Sequence, residues 1–157
     1  MYKQKKERIL CDILNAYHDL KKPDFHFVME TYNSLKYKEV INDIYSLFKF
    51  KVKDNTDLNY DVCISLEFDY LNKSICLYLS LVSTYAFLLY DDKVIDCHDD
   101  VYQSFTNLID ILFSNNFVLL KKNELLYEFD IDTSPFSVKD KKASILGLLF
   151  SFGLSVN

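Results

Sequence analysis

"YDVCISLEFDYLNKSICLYLSL", residues 60–81, alternates apolar and polar side chains, breaks at "LNKS" (71–74), and then takes up the alternation again. Successive side chains of an extended chain point to opposite faces, so Tyr60, Val62, Ile64, Leu66, Phe68 and Tyr70 share one face. Ile75, Leu77, Leu79 and Leu81 repeat the pattern after the break. The two runs predict an antiparallel hairpin with both apolar faces on one core.

Downstream, residues 85–90 and 93–95 continue the meander around a turn at Asp91 and Asp92. Val101, Phe105, Leu108, Ile109 and Leu112 then follow helical spacing, and "SNN" (114–116) supplies a stop. Residues 117–120 and 125–131 read as a further hairpin across "KKNE", and Ser137 with Asp140 has capping-box spacing before a last helix over 138–152 that Gly153 ends.

Upstream, Ile9, Leu10, Ile13, Leu14 and Tyr17 form one face of a helix within residues 3–20, closed by Lys21, Lys22 and Pro23. A short helix over 24–35 and a clearer one over 37–48 follow, the latter carried by Val40, Ile41, Ile44, Tyr45 and Phe48. "KVKDNTDLN" (51–59) has no periodicity and reads as a flexible loop. The expectation is a single α+β domain over 1–157. A helical part (1–50) precedes an antiparallel sheet of four to six strands with two helices packed on it (60–157).

The 157 residues, 50% of them hydrophobic and 16% aromatic, suffice for one packed core. The most apolar run, residues 74–90, carries serines and a threonine and is too short for a membrane span; the basic start leads into an amphipathic helix and not into a signal peptide. Cys11, Cys63, Cys76 and Cys97 show no paired ligand spacing, which points to a reduced, cytoplasmic setting, although a Cys63–Cys76 disulfide across the hairpin is conceivable. A net charge of −5 disfavours direct nucleic-acid binding and suits a basic protein partner.

Only two glycines occur, and no phosphate-cradling loop, nucleophile elbow or zinc-protease motif is present. The densest reactive stretch is "YDDKVIDCHDDVYQ" (90–103), with Asp91, Asp92, Asp96, Asp99 and Asp100 around Cys97 and His98. As a metal site it lacks paired ligand blocks, and neighbours in an extended segment diverge. As a nucleophile and base, adjacent Cys97 and His98 lack catalytic geometry. His18 and His26 stand alone, and Glu67 with Asp69 would need a raised pKa to serve as acid and base. No cofactor is expected.

Turn chemistry at Asp91 and Asp92 and capping at Asp99 or Asp100 account for most of these carboxylates. Their concentration on one edge is not accounted for, since mutual repulsion favours a cationic partner. Tyr90, Asp91, Asp92, Asp96, Asp99, Asp100 and Tyr102 are therefore the candidate partner-binding residues.

In size, acidity, tyrosine and aspartate richness and α+β layout, the whole chain resembles the immunity proteins of bacterial contact-dependent inhibition and other polymorphic toxin systems. The resemblance implies a non-catalytic protein, expected as a monomer, that binds a cognate toxin domain and blocks its active site or substrate access. The electrostatics suggest a basic nuclease as that toxin. The order of elements is also similar to type III secretion chaperones, which implies instead a homodimer holding an extended effector segment.

Overall fold

The expected hairpin is the spine of the molecule. The computed structural model describes residues 1–49, 51–70 and 72–157; Phe50, last of the expected helical part, and Leu71, first of the "LNKS" turn, lie outside the described residues. The chain begins with α1 (Lys3–Tyr17), α2 (His26–Tyr32) and α3 (Leu35–Leu47), and then forms β1 (Lys53–Asp54), β2 (Cys63–Tyr70), β3 (Lys73–Ser80), β4 (Tyr85–Tyr90) and β5 (Lys93–Val94). A 3₁₀ helix (Asp100–Phe105) leads into α4 (Thr106–Ser114), β6 (Val118–Leu119), α5 (Lys122–Leu125) and β7 (Glu128–Phe129). A second 3₁₀ turn (Ser134–Phe136), β8 (Ala143–Ser144) and α6 (Ile145–Leu149) complete an α+β domain.

β2 and β3 pair antiparallel from Cys63 opposite Ser80 to Tyr70 opposite Lys73, and β4 joins β3 with Leu77 opposite Leu88. Val62, Ile64, Leu66 and Phe68 share a core with Ile75, Leu77, Leu79 and Leu81, as their alternation requires. Helices α3 and α4 cover this face through Tyr37, Val40, Ile44, Leu108, Ile109 and Leu112. Each fully buried aliphatic here contributes about 2 kcal/mol of transfer free energy. Tyr60 does not join them: it precedes the strand and is 85% exposed.

The opposite face builds a second core. Cys63, Tyr85 and Phe87 point into it and meet Ile9, Ile13 and Tyr17 of α1 together with Ile145, Leu148 and Leu149 of α6. β4 is therefore buried on both sides, Ala86 and Leu88 facing one core and Tyr85 and Phe87 the other. Polar groups caught between the layers are paired. Ser80 Oγ donates to the Leu149 carbonyl at 2.6 Å, Tyr17 Oη to the Leu148 carbonyl at 2.8 Å, and Tyr37 Oη to the Ser80 carbonyl.

Three local expectations give way. The loop over 51–59 contains β1, whose Lys53 and Asp54 pair with Glu67 and Leu66 and add an edge to the sheet. The hairpin over 117–131 does not form: β6 pairs parallel with β4, Tyr85 opposite Val118, so the sheet is mixed. The "KKNE" segment then turns helical instead of reversing. Glu124 accepts the Lys121 N–H at 3.0 Å and binds Lys5 Nζ of α1 at 2.6 Å, drawing the chain off the sheet.

The last helix is short. Ser137 and Asp140 adopt left-handed backbone (φ 59° and 54°), which no helix interior tolerates, and Ser144 is the actual cap, its Oγ accepting the Gly147 N–H at 3.0 Å. The charged run 139–142 offers no apolar face to hold a helix, so Ala143 and Ser144 pair with Phe129 and Glu128. All four cysteines are free thiols. Cys63 lies opposite Ser80 and Cys76 opposite Glu67, which puts the two about 13 Å apart along the ladder, too far for a disulfide. Among the described residues no helix is long and apolar enough to cross a membrane.

Candidate functional site

The acidic edge begins where β4 runs out. Asp91 and Asp92 both have positive φ (53° and 61°), forming the two-residue turn whose twist matches antiparallel strands, with Tyr90 opposite Lys93. Aspartate tolerates this backbone better than most residues do. Asp91 then finds a cation within the chain: Lys73 Nζ, from the start of β3, lies 2.5 Å from its Oδ2. That hydrogen bond holds the Asp91 carboxyl below its ordinary range and raises the Lys73 ammonium.

Asp96 is relieved in the same way. Its Oδ1 accepts from the Cys97 thiol at 3.0 Å and from Lys121 Nζ at 3.0 Å. The hydrogen bond from the Cys97 thiol, the largest influence, and the Lys121 ammonium together lower its pKa to about 2, against the opposing effect of burial. Asp99 turns back toward Asp96: its Oδ2 accepts the Asp96 N–H at 2.6 Å, and its own N–H donates to the Asp96 carbonyl at 2.9 Å. The expected helix cap is thus replaced by a closed loop, since Asp99 precedes the 3₁₀ helix without capping it through its side chain.

Asp92, Asp99 and Asp100 are exposed, and among the described residues no lysine, arginine or histidine lies within ion-pair distance of them. Tyr90 and Tyr102 stand half-buried against the main core, with the Tyr90 ring edge-on to Phe105 at 5.7 Å. A concavity of about 520 Å³ is lined by Tyr90, Asp91, Asp99 and Asp100 together with Lys93 and Lys122. Asp92, Asp96 and Tyr102 lie outside its lining. The expected cluster is therefore only partly assembled, and two of its five carboxylates are neutralised internally.

The metal reading meets a different geometry from the one expected. The segment bends, and the ligand atoms of Asp96, Cys97 and His98 come within 4.8 Å of one another instead of diverging. Lys121 already occupies the cation position, 3.0 Å from Asp96 and 3.8 Å from Cys97 Sγ. The neighbouring carboxylate raises the Cys97 pKa, which disfavours the thiolate that a metal or a nucleophilic reaction needs. Glu67 runs opposite to a general acid: hydrogen bonds from Asn55 and Ser74 and the nearby Lys53 lower its pKa. Asp69 is exposed, His26 pairs with Asp24 at 2.5 Å, and His18 ends α1.

One feature escaped the sequence reading altogether. A larger groove, about 830 Å³, is walled by Tyr17, Phe25, Phe136 and Phe152 and shares no lining residue with the acidic concavity. Its parts come from segments more than a hundred residues apart, each unremarkable by itself. Comparison with family models, with curated proteins and with solved structures finds no match to this chain.

Proposed function

We propose that the chain is a non-catalytic, cytoplasmic immunity protein that binds a cognate bacterial toxin domain, a basic nuclease, and blocks its active site or its access to substrate. The observation that carries this reading is the set of exposed carboxylates Asp92, Asp99 and Asp100, which have no ion-pair partner among the described residues and are held on a hairpin turn and on a loop that Asp99 itself closes. Rigid presentation matters because a surface that does not reorganise loses less entropy on binding. Unpaired acidic side chains speed encounter with a basic partner and lose little desolvation energy at the rim. Tyr90, braced on Phe105, supplies an aromatic wall beside them. Lys73 and Lys121 narrow the interface, since Asp91 and Asp96 serve the loop's own structure.

Co-expression with the toxin-like product of the neighbouring gene tests the proposal. Growth should be rescued by the native chain and lost with the triple variant Asp92→Lys, Asp99→Lys, Asp100→Lys, while the purified variant keeps its native circular dichroism. Association should slow as salt rises. Full rescue by the folded triple variant would remove the acidic edge from the interface. A stable homodimer holding an extended segment, with no rescue by the native chain, would favour the secretion-chaperone reading.

A further inference from the structure

The aromatic groove is built, not incidental. Tyr17 closes α1 and is locked by its hydrogen bond to the Leu148 carbonyl, and its ring meets Phe25 at 5.5 Å and Phe136 at 5.2 Å, both edge-on. Phe136 in turn meets Phe152 at 5.6 Å. Gly147 makes room for that ring: a Cβ at this position would lie 2.6 Å from Phe152 Cδ1. Among the lining residues Met29 and Tyr60 remain 54% and 85% exposed, and Phe25 46%, so apolar surface faces solvent around a concavity.

Charge at the rim narrows what could fill it. Lys139 and Lys141 line the groove, are exposed, and form no ion pair among the described residues. Asp61 is the one carboxylate among the described lining residues, leaving the rim net positive on a chain whose overall charge is −5. A volume of about 830 Å³ falls within the range of small-molecule sites. The Phe25, Phe136 and Phe152 rings give an acyl chain an apolar wall, while Asn59, Ser137 and Ser151 are the uncharged polar side chains, tyrosines aside, among the described lining residues.

We propose that this groove binds one amphipathic anion, a medium-chain acyl carboxylate, with its chain against Tyr17, Phe25, Phe136 and Phe152 and its carboxylate at Lys139 and Lys141. The site is independent of the acidic edge and does not require that the chain bind a toxin.

The test uses the full chain with anilinonaphthalene sulfonate as a fluorescent occupant and decanoate as competitor, with decanol as the uncharged counterpart. Decanoate should displace the dye, and the double variant Lys139→Glu, Lys141→Glu should weaken decanoate about tenfold while leaving decanol little changed. Both lysines are exposed, so the variant should fold as the native chain does. A second variant, Val138→Trp, places bulk in the groove and should reduce binding of both competitors. No displacement by decanoate overturns the proposal. Equal decanoate affinity in the native and double-lysine proteins, or decanol binding as tightly as decanoate, overturns the anion assignment.

Discussion

The acidic edge and the aromatic groove are both concave, yet they are made in opposite ways. The edge's carboxylates come from one continuous run, residues 90–102, shaped by turn and loop hydrogen bonds, with Lys73 and Lys121 reaching Asp91 and Asp96 from outside it. The groove comes from the end of α1, the start of α2, the approach to β2 and the C-terminal segment, which meet only when the second core forms. A surface of the first kind can change its charges with little effect on the fold. A surface of the second kind cannot change its rings without disturbing the layer behind it.

The sharpest way to break this contrast is at Phe150. Its ring is fully buried, edge-on to Phe87 at 4.8 Å, and it also lines the groove. Phe150→Ala should cost about 3–5 kcal/mol and lower the melting temperature by roughly 10 °C. The triple lysine variant of the acidic edge should lose only about 1–2 kcal/mol in the same urea titration, chiefly the hydrogen bond by which Asp99 closes the loop on the Asp96 N–H. A comparable loss from the acidic variant would show that the edge is structural after all.

Tyr17→Phe is a finer probe of the groove. It keeps the ring and removes only the hydroxyl that donates to Leu148, so stability should fall by about 1–2 kcal/mol. Anilinonaphthalene sulfonate should still bind, since the aromatic wall is retained.

Smaller effects sharpen the local character of the edge. Asp96→Asn removes the carboxylate that raises the Cys97 thiol and leaves Lys121 beside it, so alkylation of Cys97 by iodoacetamide should accelerate several-fold, read by mass spectrometry. The pH dependence has a definite sign. Asp96 titrates lower in the folded chain, near 2, than in the unfolded one, so its stabilisation is present above about pH 4 and is lost as pH falls toward 2. The Asn variant should show a shallower stability loss across that window, in proportion to a partly exposed group.

Much of the fold was legible because its signals are periodic. The hairpin over 60–81 and the amphipathic faces of α1 and α3 place Ile9, Ile13, Val40, Ile44, Ile64 and Leu77 in the core where their spacing puts them. The C-terminal third was not legible for the same reason. "ILGLLF" (145–150) is apolar on every side and carries no period, and β6 is two residues long, so neither announces its partner. At the candidate site, the Asp91–Asp92 turn could be read from residue type, whereas Lys73 and Lys121 could not. They lie 18 and 25 positions from the aspartates they neutralise.

The sequence by itself determined an α+β chain, a sheet spine with one alternating apolar face, and an acidic turn at the end of β4. Those features depend on neighbours within a few residues, where strand and helix geometry dictates which side chains share a face. Tertiary structure alone decided the parallel seat of β6, the shortened last helix, the pairing of Asp91 and Asp96 with lysines, and the groove between Tyr17 and Phe152. Each of these rests on contacts between segments distant in the chain, whose free energy exists only once both cores have packed.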